Sequence, residues 1–299
     1  MIPAAWIPRC YHDRMIARII RALIPKRFRP IGYMENLTET ETGHCVATGP
    51  FAGMRYTAGS VGSAYIPKLL GIYERELNGF VEKACALSFS LIVDIGAAEG
   101  YYAVGFARRN PKVRIIAFEV DAKGRAALCE MAVLNDIRCV EKGIGGSMGH
   151  EAGSLSKEEN SNSHGSEQRP QLEVYGKCEV ENLQSALASA ERPLVVCDVE
   201  GYEDVLLFPE KIPALARAHL LVEMHDFCCP GITERITARF APTHRIERIW
   251  QEPRARDDFP FSSLGTKLLP SRYLDWAVNE WRPERMSWLW MEPKAETRN

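Results

Sequence analysis

The sequence predicts an α/β fold, with a doubly wound, mostly parallel sheet and helices on both faces. Three observations predict it. Short apolar runs at Leu91–Ile95, Arg114–Phe118, Leu194–Asp198 and His219–Met224 read as buried parallel strands. Stretches with helical apolar spacing separate them, as at Tyr101–Arg109 and Asp121–Asn135. Strand, helix and strand in succession imply right-handed crossovers and a parallel sheet. No internal repeat is visible, and 299 residues suit one large domain preceded by an extension.

The elements follow in chain order. Asp13–Ile24 reads as a helix, with Met15, Ile16, Ile19, Ile20 and Leu23 on one face and Arg14, Arg18 and Arg21 on the other. Pro25 ends it. Such a helix either lies on the domain with its arginines in water or makes peripheral contact with an anionic membrane. Arginines interrupt every apolar group, which excludes a cleaved signal peptide. Residues 31–65 read as a small strand-and-turn preface, so 1–65 is the extension and 66–299 the main domain. Ile66–Ala86 reads as one or two helices.

Leu91–Ile95 is then a strand, Tyr101–Arg109 a helix stopped at Asn110-Pro111, and Arg114–Phe118 a strand closed by Glu119. Asp121 N-caps the next helix, and Arg138–Glu141 is a third strand. Gly145–Pro170 contains 13 Gly, Ser or Asn among 26 residues, which reads as a mobile surface loop. His150 and His164 fall inside it, without partners at metal-ligand spacing.

The pattern resumes with a helix at Val180–Ala190, the strand Leu194–Asp198, and a short helix from Gly201-Tyr202 to Phe208. The strand His219–Met224 and a helix at Pro230–Phe240 follow. Arg245–Trp250 and Thr266–Leu269 read as final strands in a hairpin, and Ser271–Trp281 as a C-terminal helix. Trp276, Trp281, Trp288 and Trp290 read as packing residues near it.

Composition narrows the function. Hydrophobic residues make up 46% and charged residues 25%, which is ordinary for a globular chain that can bury its own core. The net charge of -2 argues against a surface built for nucleic acid, and no such partner is expected. The balance is uneven, because residues 1–30 carry seven basic residues against Asp13 alone. The nine cysteines are odd in number, scattered and free of C-x-x-C, which reads as free thiols in a reducing cytoplasm. No apolar run reaches the ~18 residues of a membrane-spanning helix.

The chemistry concentrates at Asp94-Ile95-Gly96-Ala97-Ala98-Glu99-Gly100. Small residues there follow a buried strand and precede a helix N-terminus, with its unpaired N–H groups. Glu119 ends the next strand, where a carboxylate can accept hydrogen bonds from both hydroxyls of a ribose. The glycine spacing is not the G-x-G-x-x-G of dinucleotide sites. An acid at the strand end would repel a pyrophosphate but suits the ammonium of an amino acid. Ribose at one end and an amino acid at the other describe S-adenosyl-L-methionine. The expected cofactor residues are Asp94, Gly96, Ala97, Ala98, Glu99, Gly100, Tyr102, Glu119, Val120 and Asp198.

VDIGAAEG at 93–100 and AFEVD at 117–121 resemble the class I S-adenosylmethionine-dependent methyltransferases. DVEGYE at 198–203, followed by LVEMH at 221–225, narrows the resemblance to the FkbM-type family over roughly residues 90–250. The resemblance implies a Rossmann-like, doubly wound, mostly parallel seven-stranded sheet with a late antiparallel hairpin strand. It also implies O-methylation of a small-molecule acceptor, commonly a sugar or natural-product hydroxyl. N-methylation and a non-catalytic cofactor-binding scaffold are the alternatives. Ala98 departs from the glycine many relatives have there.

An activated methyl group needs alignment and a nucleophile, and a neutral hydroxyl needs a base. Asp198, Glu200, Glu223, His225 and Asp226 fall beyond the strand ends, where such sheets bind ligands. His225 is the first candidate for the base, with Asp198 and Glu223 beside it. Asp198, Glu223 and His225 would also suit a divalent ion, although no metal is expected. Cys228-Cys229 reads as structural, and the oligomeric state is open.

Overall fold

The computed structural model of the protein describes residues 29–57, 64–142 and 171–295. The helix expected at 13–24 and the loop expected at 145–170, with His150 and His164, lie outside the described residues.

The sheet forms as the sequence pattern dictates. Strand β1 (Leu91–Ile95) sits between β2 (Arg114–Phe118) and β5 (Pro193–Cys197), parallel to both. All five β1 residues are buried. Ile92 faces one core, and Leu91, Val93 and Ile95 face the other, as strand alternation requires. Complete burial of a side chain such as Ile92 or Val93 is worth about 1.5–3 kcal/mol. This accounts for a centre that is apolar on both faces.

Eight strands lie in the order β3-β4-β2-β1-β5-β6-β8-β7. The remaining strands are β3 (Arg138–Glu141), β4 (Gln171–Tyr175), β6 (His219–Met224), β7 (His244–Trp250) and β8 (Ser287–Pro293). The first six pair in parallel, while β8 runs antiparallel to β6 and β7. The fold is Rossmann-like, and the late antiparallel strand is as expected. Strand order reverses between β1 and β5, which opens a crevice at their carboxyl ends.

Helices α1 (Pro30–Thr42), α2 (Tyr65–Leu70), α3 (Asn78–Ala86), α4 (Tyr101–Arg109) and α5 (Ala122–Leu134) precede β3. After β4 come α6 (Val180–Leu187), α7 (Glu203–Leu206), α8 (Ile232–Phe240), α9 (Leu264–Leu268) and α10 (Arg272–Ala277). Residues of α4 and α5 join one core, and residues of α6 and α8 join the other. Val46, Phe51, Met54 and Tyr56 belong to the α4 core, where the Phe51 ring meets Tyr101 and Phe106 edge-on. Asp121 caps α5 as expected, its carboxylate accepting from the Lys123 amide at 3.1 Å.

Several expectations are corrected. Residues 30–42 form a helix, where a strand-and-turn preface was expected. Its threonines disfavour a helix on propensity. Here the Thr38, Thr40 and Thr42 hydroxyls donate to carbonyls four residues back at 2.8 Å, and Met34 and Thr38 are buried. The sheet has eight strands, where seven were expected. One strand the pattern missed is β4, five residues in which Leu172 and Val174 alone are fully buried apolar side chains.

Residues 264–268 are helical, where a strand was expected at Thr266–Leu269, because Ser263 and Thr266 cap each other reciprocally. The closing strand is β8, which carries Trp288 and Trp290 into the core. The C-terminal helix expected over Ser271–Trp281 spans only Arg272–Ala277.

Cys129 and Cys139, expected to be free thiols, form a disulfide. The turn from α5 into β3 brings their Cα atoms to 5.4 Å, a proximity that spacing in the sequence does not reveal. No described helix is long and apolar enough to cross a membrane.

Candidate active site

The chain leaves β1 at Ile95 and reaches α4 through Gly96–Gly100. Gly96, Ala98 and Gly100 all adopt positive φ, at 85°, 46° and 91°. Gly96 has no alternative, because a Cβ there would lie 1.7 Å from the Asp198 carbonyl oxygen. The turn after β1 therefore packs directly on the turn after β5. The Gly96 and Ala97 amides both donate to the Phe118 carbonyl, at 2.9 and 3.0 Å, which ties the end of β1 to β2.

A cavity of about 580 Å³ opens at these strand ends. Asp94, Gly96, Ala97, Ala98, Tyr102, Glu119, Val120 and Asp198 line it, as do Glu223 and His225. Glu99 and Gly100 do not line it. Glu99 turns away into the protein, where the Tyr56 hydroxyl and the Lys68 ammonium both donate to it at 2.6 Å. Nothing in the motif reveals this, because its partners lie 31 and 43 residues away.

Asp94 is 3% exposed, and its Oδ2 has no hydrogen-bond partner. Burial pushes its carboxyl up to about 7, and the charges of Asp198 and Glu119 add to the rise. Glu119 stands at the end of β2. Its two oxygens accept from the Ala98 and Asp121 amides, each at 2.7 Å, and each oxygen keeps further acceptor capacity. Val120, 72% exposed, forms an apolar shelf beside it. Tyr102 donates to Glu74.

The far end of the cavity gathers acids around one imidazole. His225 Nδ1 lies 2.8 Å from buried Glu203. Its Nε2 lies 3.4 Å from Asp198, 3.5 Å from Glu200 and 3.6 Å from Glu223. Burial alone would lower the imidazole, but its contacts with Asp198 and Glu203 outweigh burial and push it up to about 11. Burial would raise Asp198, yet hydrogen bonds with His225 and Glu223 hold it below the usual range. Burial and the Asp198 charge drive Glu223 well above it, against the pull of Arg282. Asp198 is thus an ionised acceptor between a protonated imidazole and a protonated carboxyl.

Asp198, Glu200 and His225 offer ligand atoms within 4.8 Å of one another, a set that could hold a cation. Glu200 stands in this set where Glu223 was expected, and Glu223 instead contacts Arg282.

Sequence reasoning missed Lys68, Tyr73, Glu280 and Arg282 in the cavity wall, and Glu74 just behind it. Arg282 bridges Glu74 and Glu223, and Arg254 pairs with Glu280 at 2.7 Å. Burial pushes Glu74 up to about 7 against the attraction of Arg282. These residues come from the segments before α3 and β8, which carry no local motif.

No protein-family model and no curated protein matches the chain. Solved structures do. An O-methyltransferase from Bacillus cereus in complex with SAH is 10% identical over 95% of this chain and 97% of that one, with a TM-score of 0.42. SAH-bound methyltransferase PaMTH1 of Podospora anserina is 12% identical over 99% of each chain, at 0.39. The O-methyltransferase TomG from Streptomyces achromogenes, in complex with SAM, is 11% identical over 95% of this chain and 98% of that one, at 0.38. At these identities the function has to be read from this chain's own residues.

Proposed function

We propose that the chain is an S-adenosyl-L-methionine-dependent methyltransferase (EC 2.1.1.-) of FkbM type, with residues 66–299 as its catalytic domain. The acceptor we propose is a hydroxyl of a sugar or natural-product-like small molecule. One observation carries the reading. Two carboxylates at the ends of adjacent strands, Asp94 and Glu119, bound one cavity around a glycine turn, and Asp94 Oδ2 lacks a partner there. A ligand with an ammonium at one end and a ribose at the other satisfies both.

When bound, the cofactor supplies an electrophilic methyl group. The chain's own residues do the rest. Asp94 receives the ammonium, Glu119 the ribose hydroxyls, and Val120 the face of the base. Asp198 accepts a hydrogen bond from the acceptor hydroxyl and takes its proton as the oxygen attacks. His225 was the first candidate for that base. Its protonated state suits it better to a positioning role, holding Asp198 ionised and aimed into the cavity. Glu223, carrying a proton, donates to the other side of the same carboxylate.

Calorimetry with S-adenosyl-L-methionine and with NADH tests the reading. Binding of the first and not the second is expected, and the reverse would overturn it. His225→Gln is expected to lower kcat by about 10²–10³ with KM for the cofactor unchanged. Full turnover in that variant would remove His225 from the mechanism. N-methylation remains the second reading, because the acidic acceptor end also suits a cationic amine. Methylated products identified by mass spectrometry separate the two. A non-catalytic scaffold would bind the cofactor and release no product.

A further inference from the structure

Among the described residues, three phenylalanine, tyrosine or tryptophan side chains are exposed: Trp281, Phe227 and Trp250. The guanidinium groups of Arg248 and Arg285 lie over Trp250, 4.0 and 5.0 Å from its ring centre. Trp281 and Phe227 instead line the cavity. Both stand at its acceptor end. The Phe227 ring lies 5.9 Å from that of His225, and Trp281 directly precedes Arg282, which contacts Glu223.

The backbone is strained to put Trp281 there. Its φ is 59°, a left-handed conformation that a bulky side chain rarely adopts. In an extended chain Glu280 and Arg282 would share one side and Trp281 would take the other. Here all three line the cavity. Both neighbours are anchored. Glu280 pairs with Arg254 at 2.7 Å and accepts from the Glu74 amide at 3.1 Å, while Arg282 pairs with Glu74 and Glu223. The Trp281 amide donates to Asn279 Oδ1 at 2.6 Å. The Trp276 ring, packed on a separate core, lies 6.0 Å from the Trp281 ring. Strain of this kind persists only where the surroundings over-determine it, and it clusters at ligand clamps. Burial of the indole offsets little of it, since Trp281 is 58% exposed.

We propose that Trp281 is the platform for the methyl acceptor, and that this acceptor is a hydroxylated six-membered ring. One flat face of the ring lies on the indole, Phe227 borders it, and its hydroxyl edge turns to Asp198 and Glu200. The inference rests on the methyltransferase reading and narrows its acceptor. An aromatic face attracts a flat C–H or π face, and a few polar groups in the same cavity fix the orientation. Asp198 and Glu200 offer oxygens within 4.8 Å of each other, which suits hydroxyls on one ring edge. An open-chain polyol offers the acids the same hydroxyls but gives the indole no face.

Methyl transfer from S-adenosyl-L-methionine to a methyl pyranoside, to a phenol and to sorbitol is the test, with cofactor binding followed by calorimetry. Transfer to a ring compound and not to sorbitol is expected, and the ring that accepts separates a carbohydrate from an aromatic acceptor. Trp281→Gly should raise KM for that ring about tenfold and leave the cofactor Kd unchanged. Its Tm should not fall, because glycine adopts this φ without strain. Trp281→Phe, which restores a ring face, should recover most of the loss. Transfer to sorbitol as fast as to either ring would overturn the proposal. So would transfer to none of the three by a protein that binds the cofactor, which leaves the cofactor reading standing. A protein that does not bind the cofactor would overturn both. Wild-type KM in Trp281→Gly, or no recovery in Trp281→Phe, also counts against the platform. A lower Tm with a weaker cofactor Kd in Trp281→Gly would mean a structural role, which overturns it too.

Discussion

Asp94 offers the sharpest test, because its protonation and the cofactor compete for the same carboxylate. The ligand-free protein holds this carboxyl up at about 7, against 3.8 for an ordinary aspartate, mainly through burial. If an ammonium pairs with Asp94, only the ionised form binds well. The apparent Kd is then the intrinsic value multiplied by 1 + 10^(7-pH). From pH 7.5 to 5.5 this factor rises about 25-fold, close to 2 kcal/mol of lost binding. At pH 6 each binding event should release roughly 0.9 proton.

Stability carries the opposite sign in the free protein. A carboxyl raised on folding favours the folded state below its unfolded pKa, and that advantage is lost as pH rises towards 7. The loss is on the order of 4 kcal/mol over that interval, and cofactor should restore it. Calorimetry at several pH values, in buffers of differing ionisation enthalpy, measures both the affinity and the proton count. Asp94→Asn should flatten the pH dependence and weaken binding at pH 7.5. Wild-type affinity independent of pH, or a slope that survives in Asp94→Asn, would refute the assignment of the ammonium to this residue.

Three further outcomes follow from the geometry. Gly96→Ala should cost more than ~2 kcal/mol in denaturant unfolding and abolish cofactor binding, because its Cβ collides with the Asp198 carbonyl. Arg282→Met should destabilise by roughly 3–5 kcal/mol at pH 8, because ionised Glu74 loses its buried cation; unfolding at pH 5.5 should show a smaller loss as Glu74 protonates. Cys129→Ser should lower stability by roughly 2–3 kcal/mol relative to the oxidised protein and leave the reduced wild type nearly matched, as paired melts with and without reductant would show.

Much of the site is legible in the sequence for a physical reason. In a doubly wound sheet the carboxyl ends of adjacent strands meet, so Asp94, Glu119, Asp198 and Glu223 must converge once their strands are known. The buried strands are legible because both faces are apolar. What escapes is contact between segments distant in the chain. Glu99 belongs to the motif by position, yet Lys68 and Tyr56 draw it out of the cavity. Arg282 follows a short helix in a segment without periodicity, and its partners lie 59 and 208 residues earlier. Helix α1 escapes because propensity counts its threonines against it, whereas their hydroxyls close on the helix's own carbonyls.

The charges around the cavity also explain why Asp94 is the group that asks for a ligand. Burying so many acids together is tolerable only where each finds a proton, a cation or an amide. Glu99 has Lys68 and a tyrosine hydroxyl. Glu74 and Glu223 share Arg282, and Glu280 has Arg254. Asp198 and Glu203 flank His225, and Glu119 holds two amides. Asp94 accepts from the Ala103 amide, but its Oδ2 has no partner, and among the described residues no cation forms an ion pair with it, although Lys68 exerts a pull. Its carboxyl therefore holds its proton up to about pH 7, and a partner of opposite charge draws that proton off at lower pH. Such a partner reaches it from the cavity, whose wall Asp94 helps to form, since β2 and β5 flank β1 on either side.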